Sequence, residues 1–280
     1  MAFGTLYVVA TPIGNLADAS PRSIEVLRAV DLIACEDTRT SATLFARFHV
    51  SARAVALHDH NERAASAELI EVLRRGKSVA LITDAGTPAL SDPGAGLVAR
   101  AHAEGIRVSP VPGPSAAAAA FSAAGFAGPQ FFFAGFLPAS GSGRRKALEA
   151  LDLPWPVVLF EAPHRMRDTL EELAARLGPA REVVIGRELT KKFEEVARLA
   201  LGKAPAWLEA APHRAQGEFV LVLAPGEAKG ADMALAEKLL DGLAGKLSPS
   251  EAAKLAAKLT GAPKALLYRR ALDRSGQTDT

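Results

Sequence analysis

The strongest constraint on this chain is a pair of glycine- and proline-rich loops, each of which follows a short apolar run. The first loop spans residues 83–94 after the run 79–82, and the second spans 112–116 after the run 106–111. Glycine lets main-chain groups approach a ligand, and proline holds a loop open because it fixes φ. In open α/β sheets, ligands bind beyond the carboxyl ends of the strands. Two such loops in succession predict a ligand site on an α/β fold, although each loop alone fits an ordinary strand-to-helix turn.

Composition and cysteine content narrow the class of protein. With 280 residues, of which 49% are hydrophobic and 23% charged, the chain can bury a sizeable core, and its length favours two domains over one. Cys35 is the only cysteine, which excludes an internal disulfide and a cysteine-based zinc site. No signal peptide is visible, and the most apolar stretch, residues 116–126, is shorter than a membrane span. We therefore expect a cytoplasmic protein that binds neither a membrane nor a metal.

Short apolar runs alternate with helical patterns over the first part of the chain. This alternation is typical of repeated strand–helix units and predicts an N-terminal α/β domain with a parallel sheet over residues 1–115. Beyond it, apolar runs separated by helices and looser loops predict a second α/β domain on a mixed sheet over residues 116–225. A linker at 225–230 then leads to a small helical C-terminal domain at 231–274.

The C-terminal segment carries helix-end signals and an excess of positive charge. Ser248 and Glu251 have the spacing of a capping box, and Gly261 ends that helix before a second one begins. Residues 229–280 contain nine Lys or Arg against six Asp or Glu, within a chain whose net charge is only +2. Such a pair of basic helices fits a helix-turn-helix-like nucleic-acid module, and it fits an ordinary helical hairpin equally well.

Several common enzyme signatures are missing from the sequence. There is no phosphate-binding P-loop and no nucleophile elbow of a serine hydrolase. Gly14 and Glu36 have roughly the spacing of a dinucleotide fold, but the glycine fingerprint of that fold is absent. His58 and His60 could begin a metal site, yet no third ligand follows nearby, so metal binding is a minority hypothesis. These exclusions leave a cleft that suits a cofactor without a pyrophosphate.

A set of short motifs, weak one by one, becomes specific through its order and spacing. The motifs are TPIGNL at 11–16, EDTR at 36–39, HDHNE at 58–62, DAGTP at 84–88, DPG at 92–94, PGP at 112–114 and RELTK at 187–191. Together they resemble the S-adenosylmethionine-dependent tetrapyrrole methylase superfamily, and within it the enzymes that methylate a cytidine 2′-oxygen of small-subunit (16S) ribosomal RNA. The resemblance runs from Leu6 to about Leu223, and the helical tail is also similar to that of those enzymes.

The resemblance implies a two-domain fold with S-adenosylmethionine folded into the cleft between the domains, usually in a homodimer. By position, the residues that would hold the methionine moiety are Asp84, Gly86 and Thr87. Those that would hold the nucleoside portion through main-chain groups are Ser115 and Ala116, with Ile13 and Phe160 lining the pocket. For Asp84 the chemistry agrees, because a carboxylate accepts strong hydrogen bonds from an ammonium group.

Methyl transfer to a ribose hydroxyl requires the oxygen on the methyl–sulfur axis and benefits from a base that takes its proton. The candidates for that base are side chains expected at the same sheet edge as the donor loops, namely His58, His60, Glu36 and Asp37. His58 is the first choice. A structural role for residues 58–60, in which local hydrogen bonds close their loop, remains the alternative.

Basic residues near these motifs are candidates for RNA phosphate contacts. They are Arg39, Arg144, Arg145, Lys146, Arg165, Arg187 and Lys191, joined by the C-terminal lysines. The same side chains could instead pair with Glu161, Glu188 or Glu194. The expected substrate is small-subunit ribosomal RNA, either free or in the assembled subunit.

Two other functions stay open at the level of sequence. One is carbon methylation of a tetrapyrrole precursor, against which the basic tail and the motifs at 36–39 and 58–62 argue. The other is a catalytically silent RNA-binding assembly factor that has kept the fold. Calorimetry with S-adenosylmethionine separates the second alternative from an enzyme, because a scaffold need not bind the methyl donor.

Overall fold

Five parallel strands form the first sheet of the computed structural model, which describes residues 3–128, 130–226 and 233–275. The strands are β1 (Thr5–Val9), β2 (Leu32–Cys35), β3 (Arg53–Ala56), β4 (Val79–Leu81) and β5 (Arg107–Val111). Their order in the sheet is β3-β2-β4-β1-β5. Each of the five strands coincides, to within one residue at either end, with a short apolar run of the sequence. Because the strands are parallel, their carboxyl ends meet at one edge of the sheet.

Helices cover this first sheet and bury both of its faces. They are α1 (Pro21–Ala29), α2 (Thr38–Phe48), α3 (Glu62–Arg74) and α4 (Ala95–Ala103). Ser20 begins α1 as predicted, since its hydroxyl accepts a hydrogen bond from the Ser23 N–H and Pro21 follows at the first turn. Leu6 and Val79 pack in the core on one face, and Val9 and Ile33 in the core on the other.

The second sheet is mixed, as the sequence predicted. Its strands are β6 (Phe132–Phe136), β7 (Val157–Glu161), β8 (Glu182–Arg187), β9 (Glu195–Ala200) and β10 (Phe219–Leu223), in the order β6-β7-β10-β8-β9. Only β6 and β7 pair in parallel, and the other pairs are antiparallel. The helices beside it are α5 (Ala116–Ala124), α6 (Gly141–Glu149), α7 (Met166–Leu177) and α8 (Ala204–Glu209). Sequence reasoning missed β9, because this edge strand has no apolar run.

Three helices form the C-terminal part of the described chain. They are α9 (Met233–Leu243), α10 (Pro249–Thr260) and α11 (Lys264–Ser275). The predicted capping box is present, since the Ser248 hydroxyl accepts from the Glu251 N–H and the Glu251 carboxylate accepts from the Ser248 N–H. The predicted linker at 225–230 lies outside the described residues from 227 onward. Among the helices that are described, none is both long and apolar enough to cross a bilayer.

Candidate active site

A cavity of about 370 Å³ lies between the carboxyl edge of the first sheet and the second sheet. This volume falls within the range of small-molecule sites, about 300 to 1,000 Å³. Six of the seven residues that the resemblance assigned to the methyl donor line this one cavity: Ile13, Gly86, Thr87, Ser115, Ala116 and Phe160. The seventh, Asp84, is not among the lining residues, and its Oδ1 accepts a hydrogen bond of 3.2 Å from the Asp37 N–H.

The loops after β1 and β4 are tied together at the floor of the cavity. Thr11 and Gly86 exchange two main-chain hydrogen bonds of 2.8 and 3.1 Å, and the Thr11 hydroxyl donates to the Thr83 carbonyl at 3.0 Å. Gly86 has φ +94°, a backbone conformation that favours glycine. A Cβ atom there would come within 3.3 Å of Ile13 Cγ2. The positive φ and the close approach to Ile13 therefore both favour glycine at this position.

The second predicted loop brings the start of helix α5 to the same cavity. The Thr87 hydroxyl donates to the Pro114 carbonyl at 3.1 Å and joins the two loops. Ser115 is the residue before the helix, and its hydroxyl makes no capping bond to the helix. Because the first N–H groups of a helix lack partners within it, this end of α5 offers hydrogen-bond donors to a ligand.

Aromatic rings form the opposite wall of the cavity. The ring of Phe160 lies 5.5 Å from that of Phe136 and 5.0 Å from that of Phe133, both edge to face. The register of β6 shifts between Phe133 and Gly135, and this bulge puts Phe133 and Phe136 on one face although they are three residues apart. Gly135 has φ +61°, and a Cβ atom there would lie 2.9 Å from Ser91 Oγ. At the bulge, β6 therefore packs closely against the loop after β4.

Carboxyl groups gather where β2 and β4 end. The Thr83 hydroxyl donates to Glu36 Oε2 at 3.3 Å and also interacts with the Asp92 side chain, which lines the cavity. Burial, together with the nearby charges of Glu36, Asp84 and Asp59, raises the pKa of Asp92 to about 6. Burial and Asp84 also raise the pKa of Glu36. Sequence reasoning included the motif at 92–94 but did not identify Asp92 as a candidate site residue. The shift in its pKa comes chiefly from burial, which only the tertiary structure shows.

None of the four predicted proton acceptors lines the cavity. Glu36 lies in the carboxyl cluster just described. Asp37 instead begins helix α2, where its carboxylate accepts from the N–H and the guanidinium of Arg39. Those hydrogen bonds from Arg39 lower the pKa of Asp37 to about 2. A carboxylate held in this way is a poor proton acceptor near neutral pH.

The loop at 58–61 is closed by Asn61, which fits the structural alternative. Asn61 Oδ1 accepts from the His58 N–H at 2.8 Å, and its Nδ2 donates to the Ala56 carbonyl at 3.0 Å. Nδ1 of His58 is buried and has no hydrogen-bond partner. His60 lines a separate shallow pocket together with Arg63 and Arg100. The described residues hold no group of three or more His, Cys, Asp or Glu arranged for a metal ion.

Two of the residues predicted to contact RNA phosphates are buried, and the structure corrects those predictions. The Arg144 guanidinium donates to the Pro138 carbonyl, to the Thr169 hydroxyl and to Glu172, with its side chain only 8% exposed. Arg187 donates to the carbonyls of Gln216 and Phe193. Both guanidinium groups are buried and spend their hydrogen bonds on partners within the protein, so neither is free to contact a phosphate.

The other predicted phosphate contacts differ in exposure. Arg145 and Lys146 are exposed on α6, and the side chain of Arg39 is 89% exposed even though it pairs with Asp37. Lys191 pairs with Glu188 and Glu218. Arg165 pairs with Glu161, whose carboxylate is fully buried and also accepts from the Thr169 hydroxyl at 2.6 Å. Of these five side chains, those of Arg39, Arg145 and Lys146 are the ones that are exposed to solvent.

Residues 5–205 match the family model described as tetrapyrrole (corrin/porphyrin) methylases, which is more than half of the chain. The chain belongs to the tetrapyrrole methylase family. Solved structures agree with this fold for about four-fifths of this tetrapyrrole methylase. A uroporphyrin-III C-methyltransferase from Thermus thermophilus, complexed with S-adenyl homocysteine, is 18% identical over 79% of this chain and 97% of its own, with a TM-score of 0.56. Diphthine synthase is 19% identical over 79% and 89%, with a TM-score of 0.58.

Curated relatives cover nearly the whole of this tetrapyrrole methylase. Proteins named ribosomal RNA small subunit methyltransferase I are 46% identical in Escherichia coli O157:H7 and 48% identical in Mesorhizobium japonicum. Each covers 98% of this chain, with 96% and 94% of the relative aligned. Residues 229–275 also match the model described as the RsmI C-terminal HTH domain. The chain is therefore a methyltransferase of this family, as the sequence predicted.

Proposed function

We propose that this methyltransferase transfers the methyl group of S-adenosylmethionine to the ribose 2′-oxygen of a cytidine in small-subunit ribosomal RNA. The observation that carries the proposal is the meeting of the predicted donor residues around one cavity, in a chain whose full-length relatives are named small-subunit ribosomal RNA methyltransferases. The RNA substrate comes from those names, and the choice of the 2′-oxygen of cytidine from the motif resemblance.

The residues around the cavity fit S-adenosylmethionine. Gly86 lines the cavity without a side chain, which leaves its main chain open to a ligand, and a Cβ atom there would crowd Ile13. The Ser115 hydroxyl and the start of α5 offer donors to the nucleoside portion, while Phe160 offers an apolar wall. Asp84, in the loop after β4, does not line the cavity, and its proposed hydrogen bond to the ammonium group of the methionine moiety rests on the motif resemblance. When bound, S-adenosylmethionine supplies a methyl group that its positively charged sulfur already activates.

The chain's own contribution is then chiefly to position the reacting groups. Aligning a hydroxyl oxygen with an activated methyl group supplies much of the rate enhancement for such a transfer. The loops after β1, β4 and β5 are held by the bonds of Thr11 with Gly86 and of Thr87 with Pro114, so the cavity is built before a ligand enters. The carboxyl cluster at Glu36 and Asp92 adds a negative field, which favours a cationic donor.

The RNA is held by exposed positive charge. Arg39, Arg145 and Lys146 are available for phosphate contacts, and basic residues on α10 and α11 extend this surface. Arg144 and Arg187 are left out because they are buried. We retain the proposals of a homodimer and of action in the cytoplasm, where the substrate would be free RNA or the assembled subunit.

Carbon methylation of a tetrapyrrole remains the second candidate, since the structural neighbours include a uroporphyrin-III methyltransferase. The helices α9 to α11 argue for RNA instead, because they lie in the segment that matches a helix-turn-helix model. The decisive experiment is mass spectrometry of small-subunit RNA from cells that lack the protein. We expect one cytidine to lose its 2′-O-methyl group and to regain it with the wild-type protein.

A matched pair of variants ties the activity to the cavity. Gly86→Ala should abolish the regained methylation and weaken donor binding in calorimetry by at least about tenfold, because the added Cβ atom meets Ile13 and strains a positive φ. Gly242→Ala is the control, since a Cβ atom there meets nothing within 4 Å. Unchanged RNA modification in the deletion strain, or methylation of a tetrapyrrole by the purified protein, would contradict the proposal.

A further inference from the structure

Three carboxylates line the cavity, and only one of them is available to a substrate. Glu161 is committed to Arg165, Thr169 and the Ala162 N–H. Glu218 pairs with Lys191. Asp92 is half-buried, and no basic side chain in the described part of the chain forms an ion pair with it. Asp92 is therefore a carboxylate at the donor cavity whose charge is not neutralised by a cation.

The surroundings of Asp92 set its proton affinity. Thr83, only 1% exposed, donates its hydroxyl to Glu36 and also interacts with Asp92, and its hydroxyl has a single proton to donate. At most one of these two carboxylates can therefore receive the Thr83 proton at a time. The charged groups that act on Asp92 from neighbouring elements are Glu36, Asp59 and Asp84, while Glu161 and Glu218 stand across the cavity. Burial and the acidic groups Glu36, Asp84 and Asp59 favour the uptake of a proton by Asp92, whereas the charges of Glu161 and Glu218 are paired with Arg165 and Lys191.

From this geometry we infer that Asp92 is the catalytic residue that accepts the proton of the attacking ribose hydroxyl, and that Glu36 positions it through Thr83. The inference rests on the proposed function. The 2′-oxygen forms a bond to the methyl carbon, the carbon–sulfur bond breaks with its electron pair left on sulfur, and the hydroxyl proton passes to the Asp92 carboxylate. Solvent then takes the proton from Asp92.

Asp92 meets the requirements for a base better than the sequence-predicted candidates. It lines the cavity, whereas His58, His60, Glu36 and Asp37 do not. Its raised pKa of about 6 leaves it ionised at neutral pH while it still binds a proton well, and this is the balance that general-base catalysis favours. Glu36 contributes indirectly, because its negative charge raises the pKa of Asp92.

Single-turnover methylation of small-subunit RNA at saturating donor, measured from pH 5 to 8, tests the inference. The wild-type rate constant should rise with pH and level off above an apparent pKa near 6. Asp92→Asn should lower the plateau by about 10²- to 10⁴-fold and remove the rise. Its affinity for S-adenosylhomocysteine in calorimetry should stay within about threefold of wild type. Asp92→Glu, which restores a carboxylate, should recover part of the rate.

The positioning role of Glu36 has its own readout. Glu36→Gln removes a negative neighbour and frees the Thr83 hydroxyl for Asp92, so the rise of the rate should move to lower pH. A purely structural role would lower the rate without moving the profile. Glu68→Gln is the charge-matched control, since Glu68 is exposed on α3 and does not line the cavity.

Several outcomes would overturn the inference. The inference is wrong if Asp92→Asn methylates RNA within threefold of wild type with an unchanged pH profile, or if it loses donor binding together with activity. If Asp92→Asn does not fold, the pH profiles of the rate constant for Asp92→Glu and Glu36→Gln test the inference instead. If neither profile is shifted from that of the wild-type protein, Asp92 is not the base. Failure of the proposed function is distinguishable, because the wild-type protein itself would then leave the RNA unmodified.

Discussion

Gly14 contacts Lys191 so closely that a Cβ atom added to the glycine would lie 2.4 Å from Lys191 Cγ and 3.2 Å from the Leu189 carbonyl oxygen. Lys191 is itself fixed, since its Nζ lies 3.0 Å from Glu188 and 3.1 Å from Glu218. Glu188 and Thr190 both have positive φ, so this loop after β8 is strained. The loop after β1 and the loop after β8 thus pack closely against each other beside the donor cavity.

Gly14→Ala should disrupt this contact between the two loops. The methyl group requires Lys191 or the loop to move, and either movement disturbs the two ion pairs of the lysine. We expect a loss of about 1–3 kcal/mol in the free energy of unfolding and weaker donor binding. Urea denaturation and calorimetry measure the two effects. Because the clash involves Lys191, the double variant with Lys191→Ala should lose less than the sum of the two single variants, and simple additivity would show that the contact is not responsible.

Glu161→Gln tests the buried charge network behind the aromatic wall. The Glu161 side chain is fully buried and lies 2.7 Å from Arg165 and 3.7 Å from Arg144. Removing its charge leaves two arginines without their shared partner, so we expect the free energy of unfolding to fall by about 3 kcal/mol. The exposed pair of Arg167 and Glu171 supplies the control, and Glu171→Gln should cost less than about 1 kcal/mol. Urea denaturation measures both losses, and an equal loss in the free energy of unfolding for Glu161→Gln and Glu171→Gln would contradict the prediction.

The neighbouring basic residues of α6 should differ in how their removal changes the salt dependence of RNA binding. Arg145 and Lys146 are exposed, so their double substitution by alanine should reduce the slope of log affinity against log salt by about 1 to 2 units. Arg144→Ala should leave that slope unchanged and lower stability instead, because its guanidinium bonds to Glu172 and Thr169 inside the protein. Fluorescence titrations with small-subunit RNA at several salt concentrations measure the slope. An unchanged slope in the double variant would remove both residues from the RNA surface.

The raised pKa of Asp92 has a consequence for stability as well as for chemistry. A carboxyl whose pKa is higher in the folded state than in the unfolded chain stabilises the protein at low pH, and this contribution is lost as pH rises from about 4 through about 6. Asp92→Asn cannot ionise, so its stability relative to wild type should increase over that interval by about 1–2 kcal/mol, after allowance for solvent screening. Urea denaturation at pH 4 and pH 7.5 measures the change. A difference that stays constant with pH would show that the carboxyl is not perturbed.

Much of the fold could be predicted because its signals are local. Ser20 with Pro21 marks the start of α1, and Ser248 with Glu251 marks the start of α10, since capping depends on residues only a few positions apart. The five apolar runs of the first sheet were equally readable. Strand β9 was not, because an edge strand with alternating exposure needs its partner β8 to be recognised.

The site was predicted only in part. Motif order assigned the methyl donor to residues on several loops, and six of those seven residues line one cavity. The ionisation of side chains was beyond the sequence, because it depends on burial and on charges from distant positions. Arg144 illustrates this limit: it belongs to a basic run in the sequence, yet its guanidinium is enclosed by α7 and the loop after β6. Asp92 is the converse case, an ordinary loop aspartate whose pKa the fold raises.

The sequence by itself determined most of the elements, the parallel character of the first sheet and the family to which the chain belongs, because these follow from short-range patterns and from the order of motifs. Only the tertiary structure decided which charges remain available. Burial is a property of the folded chain, and the convergence of Glu36 with Asp84 and Asp92 joins two segments about fifty residues apart. Electrostatic interactions depend on distance in space and on exposure to water, and neither quantity is fixed by spacing along the chain.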